Sequence, residues 1–173
     1  GVDDPNTVIR ASHLCDDLGM DTISCGATIA WSMECFEKGL LNLEDTGGLE
    51  LRFGNKEVLM DILKMISERR GIGALLAHGS HYASQIIGHG SQEWAMHVKG
   101  LELPGYEPRS LKTMALGMAV STRGACHNRS SAYEIDFSSA VDRLSADEAR
   151  GAMAMQSEDS SALLDSMIWC KFL

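Results

Sequence analysis

Residues 101–108, Leu101-Glu102-Leu103-Pro104-Gly105-Tyr106-Glu107-Pro108, hold two prolines and a glycine, so they cannot be helical throughout. This break constrains the fold more than any other feature, because helix signals dominate on both sides of it. It reads as an extended linker and the best internal boundary, with helical domains expected over 1–98 and 99–173. The class is all-α: multihelical, with two small helical domains packed together. Only Leu49-Glu50-Leu51-Arg52-Phe53 alternates as a strand would, and it is short.

Before the break, Asp4-Pro5 places an N-cap ahead of a proline at the first helical position. Val8, Ile9, Ala11, Leu14, Cys15 and Leu18 then follow helical spacing up to Gly19. Thr22 or Asp21 can cap a second helix that stops near Gly39. Asn55 opens a third, with Arg69-Arg70-Gly71 at its end, where basic residues and then a glycine suit a helix C-terminus. Residues 72–90 predict one short helix around Leu75 to Ile87. After the break, Leu111 to Val120 reads as a small-residue helix. Ser145-Ala146-Asp147-Glu148 reads as a capping box for another, and Ser157 to Leu164 as the start of a last helix or turn.

Composition chiefly excludes. A chain of 173 residues, 45% hydrophobic and 23% charged, is large enough to bury a core and too apolar to be disordered. Its net charge of -9, with no Lys/Arg cluster, argues against nucleic acid. No run of about 18 apolar residues suggests a membrane span. Five cysteines without C-x-x-C spacing speak against a disulfide framework and for a reducing, cytoplasmic setting. Cys15, Cys25 and Cys35 recur every ten residues, about 80° apart around a helix, and read as buried apolar side chains. His78 and His81 have i, i+3 spacing but no acidic third ligand nearby, so a zinc site is not expected. Gly1 rather than Met at the start suggests a processed protein or an excised piece.

Three polar clusters carry the chemistry. Asp16-Asp17-Leu18-Gly19-Met20-Asp21 is a D-x-x-G-x-D pattern, and Asp165-Ser166-Met167-Ile168-Trp169-Cys170 a D-x-x-x-x-C pattern. The first reads as a helix C-cap followed by an N-cap. The same corner also allows close backbone approach to a ligand whose ring N–H groups its carboxylates can accept. Cys170 alone cannot hold an iron–sulfur cluster, which takes four thiolates. Between them, Arg123-Gly124-Ala125-Cys126-His127-Asn128-Arg129 joins an imidazole suited to acid–base work with guanidiniums that pair with anions. On the residues alone, a polar loop capping a helix is the favoured account of this segment.

Together these segments resemble the tungsten-containing aldehyde:ferredoxin oxidoreductase family. Residues 15–24 are similar to its first pterin-binding motif, and residues 99–109 to its linker. Ser121-Thr122-Arg123-Gly124-Ala125-Cys126-His127 resembles its active-site segment, and Asp165 to Phe172 its second motif, in matching order. The resemblance implies a three-domain enzyme whose β-rich N-terminal domain underlies a tungsten bis-pterin cofactor, closed over by two helical domains. Residues 1–98 would be the latter part of domain 2 and residues 99–173 part of domain 3. It further implies Asp16, Gly19, Met20 and Asp21 at one pterin, Asp165 and Trp169 at the other, and Arg129 beside the cofactor. His127 would be the catalytic proton-transfer residue and Cys170 the last ligand of a 4Fe-4S cluster. Two positions depart from the family, which has glycine at Ile168 and a smaller apolar residue at Trp169. Their bulk works against close backbone approach.

The expected activity is oxidation of a small aldehyde to a carboxylic acid, with ferredoxin as electron acceptor and the N-terminal domain as the partner completing both cofactor sites. Alternatives are a same-family enzyme acting on another substrate, such as an aromatic thioester, or a non-catalytic helical module when apart from that domain. By itself the chain is expected to be inactive. Homo-oligomerisation is left open.

Overall fold

Thirteen residues from Pro5 to Asp17 form α1, whose buried stripe of Thr7, Ala11 and Cys15 keeps the four-residue spacing of one helix face. The structure, a computed structural model, describes residues 1–170. It divides into two compact units, Gly1–Met96 and His97–Leu173. Among the described residues nearly all regular structure is helical, in agreement with the all-α expectation.

In the first unit, α2 (Thr22–Glu37) is the central helix. Ile29, Trp31, Ser32, Met33 and Cys35 are buried around much of its circumference, as befits an element enclosed by its neighbours. The Trp31 indole donates to the Ser91 carbonyl at 3.0 Å, so this large ring is buried without an unsatisfied N–H. On α3 (Lys56–Ser67), Val58, Ile62, Leu63, Met65 and Ile66 turn inward. Together with Leu51, these residues form the core.

Residues 72–90 hold two helices rather than one: α4 (Ile72–Leu76) and α5 (Gly79–Ile87), followed by a short 3-10 turn, Ser91–Trp94. Gly73 lets α4 press against α3, where an added Cβ would lie 2.1 Å from the Met65 carbonyl oxygen. Residues 49–53 are not a strand, because Leu51 is buried in the core and no partner strand exists there among the described residues.

The strands lie instead in the second unit, where β1 (His97–Val98) and β2 (Leu101–Glu102) pair antiparallel, Val98 opposite Leu101. Part of the segment expected to be a linker is therefore a ribbon. Next come α6 (Lys112–Val120), α7 (His127–Ser130), α8 (Tyr133–Phe137) and α9 (Ala149–Ser166). The two helices expected after residue 145 are one continuous helix, α9. Glu148 makes no capping-box bond; Asp147 Oδ1 accepts from the Ala149 N–H at 3.0 Å and so begins the helix.

The apolar core of this unit is small: Leu111, Met114, Met118, Ala125 and Ala132. A buried ionic knot supplements it. Asp136 accepts from the Thr113 and Met114 N–H groups at 3.2 and 2.8 Å, and from Arg150 Nη1 at 3.1 Å. Arg150 also donates to Thr113 Oγ1 at 2.8 Å and to the Asp142 carbonyl. One carboxylate thus serves the orphan amides at the start of α6 and ties α8 to α9.

Candidate functional site

The two acidic patterns fold into the same local structure. At the end of α1, Gly19 N–H donates to the Asp16 carbonyl at 3.1 Å and Met20 N–H to the Cys15 carbonyl at 2.8 Å. At the end of α9, Ile168 N–H donates to the Asp165 carbonyl at 3.1 Å and Trp169 N–H to the Leu164 carbonyl at 3.0 Å. Both are Schellman turns with the residue after the cap in the left-handed region, φ +67° at Gly19 and +58° at Ile168. Asp16 and Asp165 therefore occupy the same place, the last turn of a helix that has no basic residue there. A carboxylate at that place opposes the helix dipole.

At Ile168 the misfit lies in the backbone angle rather than in bulk. Ile168 is 93% exposed and obstructs nothing among the described residues, whereas this β-branched residue is held in an unfavourable backbone region.

Beyond the first corner, Asp21 caps α2: its Oδ2 accepts from the Ser24 N–H at 2.7 Å, and Thr22 is the first helical residue. Met20 and Asp21 border a cleft of 320 Å³ that also reaches Cys25, Thr28 and Arg69. Arg69, at φ +50°, takes the left-handed place after α3 that the sequence reading gave to Gly71; Gly71 precedes α4. Asp16 and Gly19 form the turn and are exposed, and a Cβ at Gly19 would meet open space. Burial pushes the neighbouring Cys15 thiol up, so it stays protonated.

In the second unit, Arg129, Asp165, Trp169 and Cys170 line one cleft of 360 Å³, together with Arg123, Cys126 and Asn128. Arg129 Nη1 stands 4.0 Å from Asp165 Oδ2, and Arg123 Nη1 donates to Cys126 Sγ at 3.5 Å. The structure thus brings four of the expected site residues together.

His127 is not among the residues lining that cleft. It sits at the start of α7 against Tyr106 and Tyr133, with ring centroids 5.6 and 6.3 Å away. Burial, reinforced by Tyr106 and Glu134, pushes the Tyr133 phenol up. Gly124 permits this placement, at φ +102° with its Cα against β1; a Cβ there would lie 2.3 Å from the Val98 carbonyl oxygen. Lys99 Nζ adds a bond to the Ser121 carbonyl at 2.6 Å. Sequence reading missed Tyr106, Tyr133 and Lys99 as supports of this segment, since nothing local in the sequence joins residue 99 to 121. Lys171 and Phe172 of the second motif lie outside the described residues.

Among the described residues no group of three or more His, Cys, Asp or Glu could hold a metal ion. Cys170 is an exposed free thiol at the rim of a cleft with two guanidiniums nearby, which suits one ligand of a metal cluster completed from elsewhere. The exposed turn carboxylates likewise suit a hydrogen-bonding ligand with N–H donors. Among the described residues no helix is long and apolar enough to cross a membrane.

This is a helical chain with two turn-borne carboxylates and a thiol on its exposed surface. The family model described as aldehyde ferredoxin oxidoreductase, domains 2 and 3, matches residues 1–173, and the chain belongs to that family. It is 38% identical over 176 residues to a tungsten-containing aldehyde ferredoxin oxidoreductase of Pyrococcus furiosus, covering 99% of this chain and 29% of that protein. Its counterpart in Thermococcus kodakarensis is 37% identical, with the same coverage. A WOR-like subunit of an aliphatic sulfonate oxidoreductase from Pyrococcus furiosus is 33% identical over 76% of this chain and 22% of its own length. The chain therefore spans less than a third of these relatives.

Proposed function

We propose that this chain forms the helical, cofactor-facing part of a tungstopterin oxidoreductase that converts aldehydes to carboxylic acids and passes the electrons to ferredoxin. The observation that carries this reading is the pair of exposed carboxylates, Asp16 and Asp165, at equivalent places in two Schellman turns. Each opposes its helix dipole, a cost that at Asp165 the Arg129 guanidinium 4.0 Å away offsets. A ligand with ring N–H donors gives them a purpose.

Residues 1–98 form the latter part of the family's second domain and residues 99–173 part of its third in this reading. Asp16, with the turn of Gly19, Met20 and the capping Asp21, holds one pterin; Asp165 and Trp169 hold the other, with Arg129 balancing charge beside Asp165. Cys170 supplies one thiolate of a 4Fe-4S cluster. The bound tungsten centre supplies two-electron redox chemistry. His127 exchanges a proton with the substrate oxygen through an imidazole nitrogen, and its contact with Tyr106 and Tyr133 fixes the ring plane.

The test is made on the full-length enzyme. Metal analysis should find tungsten, and Asp16→Asn and Asp165→Asn should each lower the tungsten content of folded protein. Cys170→Ser should abolish the signal of the reduced cluster. His127→Gln should lower kcat by about 10²–10⁴ with metal content unchanged. Full tungsten loading in both aspartate variants would defeat the carboxylate reading. Because one relative is named for sulfonates, the substrate panel should set aldehydes beside aliphatic sulfonates and aromatic thioesters.

A further inference from the structure

Cys15, Cys25 and Cys35 recur every ten residues and have no part in the proposed function, yet the fold does not treat them alike. Cys35 is wholly buried against the Trp94 side chain. Cys15 lies in the last turn of α1 and Cys25 in the first turns of α2. The corner between those helices turns the chain back on itself, and the two thiols meet in side-chain hydrogen-bonding contact. Both pack with the same apolar core.

Two free thiols in contact are the starting point for a disulfide. They differ in access. Cys15 is 3% exposed, and burial keeps its thiol protonated. Cys25 is partly exposed and borders the 320 Å³ cleft beside Met20 and Asp21. The attacking sulfur in thiol–disulfide exchange must reach its target, so an oxidant from outside meets Cys25 first. Cys15 waits behind it, within reach of whatever forms on that sulfur.

We propose that Cys15 and Cys25 form a reversible dithiol–disulfide pair that takes a small organic disulfide as its oxidant, with Cys25 attacking and Cys15 resolving. The Cys25 thiolate attacks one sulfur of the small disulfide, breaks its S–S bond and releases one thiolate, which takes up the proton that Cys25 gave up. A mixed disulfide remains on Cys25. The Cys15 sulfur then attacks the Cys25 sulfur and displaces the second thiolate, to which the Cys15 proton passes. Two electrons thus move from the protein thiols to the small disulfide, which leaves as two thiols. The new bond ties α1 to α2 across the whole corner from Asp16 to Ser24, and an excess of the reduced thiol reverses both steps. The inference goes beyond the proposed function and assigns neither sulfur to a cofactor.

Full-length enzyme, purified without oxygen from tungstate-starved cells so that the cleft is open, tests it on treatment with glutathione disulfide. Peptide mapping should find Cys15 joined to Cys25, with loss of both thiols to alkylation by iodoacetamide and their return on reduction by dithiothreitol. In Cys15→Ala the reaction should stop at its first step, with glutathione held on Cys25. In Cys25→Ala, Cys15 should remain an unmodified thiol. The wild-type map needs neither variant, so a variant that fails to fold leaves the proposal open to refutation.

The proposal is overturned if glutathione stays on Cys25 in the wild-type enzyme, if either cysteine links to a different one, or if both remain open to alkylation. It is overturned equally if Cys15 is modified when Cys25 is absent. Enzyme from tungstate-supplied cells that holds no tungsten would defeat the proposed function instead, and the peptide map would still decide the thiol pair.

Discussion

The corners that end α1 and α9 have the same hydrogen bonds and the same placement of an aspartate, yet different residues at the left-handed position. Gly19 adopts φ +67° without steric cost, and Ile168 adopts φ +58° against the preference of a β-branched side chain. Their settings differ too. The first corner leads directly into α2, whose N-terminus Asp21 caps, and Met20 packs on the larger apolar core. The second belongs to a unit whose apolar core is small and whose centre is the Asp136–Arg150 pair. Equal local geometry therefore rests on two kinds of support. One corner leads on to the next helix over a large apolar core; the other ends the last helix of a unit whose centre is a buried ionic knot.

The sharpest way to break this contrast is to cut the knot. Asp136 and Arg150 are 2% and 4% exposed, so Asp136→Ala leaves a buried guanidinium with only the half-exposed Asp147 carboxylate, 3.6 Å from its Nε, and two amides of α6 unsatisfied. A loss of about 3–5 kcal/mol is expected. Hydrogen exchange should rise throughout residues 111–166 and stay near its original level in α2 and α3. Equal loss of protection in α2 would show that the first unit depends on the knot as well.

Exchanging the corner residues comes next in size. Gly19→Ile meets no steric neighbour, so its cost is the backbone angle alone, about 1–2 kcal/mol. Ile168→Gly should recover about 1 kcal/mol in the second unit, offset a little by glycine's greater freedom when unfolded. Urea unfolding followed at each unit checks both signs. If Ile168→Gly destabilises, the isoleucine has a favourable contact that its 93% exposure does not suggest.

These expectations also show what can be read from residues in order. The first corner was legible because every interaction in it spans at most five positions: Asp16 to Gly19, Cys15 to Met20, Asp21 to Ser24. The matching turn at 165–169 was harder to read, since isoleucine hides the position that glycine would have marked. Arg69 hides the end of α3 in the same way. The resemblance alone set Arg129, Asp165 and Trp169 beside a common cofactor, and residue order could not add Arg123, because the two segments are joined by folding of α7 on α9. The Asp136–Arg150 knot carried no signal. Both residues look like ordinary surface charges, and their burial depends on Thr113 and Met114, which lie more than twenty positions before Asp136.

The smallest predictions separate carboxylates kept for structure from those kept for a ligand. Asp21→Ala removes an N-cap bond of 2.7 Å and should cost about 1 kcal/mol. Asp16→Asn removes a charge that opposes the α1 dipole at an exposed site, and should instead stabilise the first unit by about 0.3–1 kcal/mol. Asp165→Asn should fall between them, close to zero. Relief from the α9 dipole is offset by loss of the half-exposed Arg129 pair at 4.0 Å, itself worth about 0–1 kcal/mol. Melting temperature at low ionic strength reads all three, and the gain at Asp16 should shrink with added salt. A variant that becomes more stable while losing tungsten in the full-length enzyme has given up function and not fold. If Asp16→Asn destabilises, its carboxylate is part of the corner's own structure, and the resemblance between the two corners ends at the backbone.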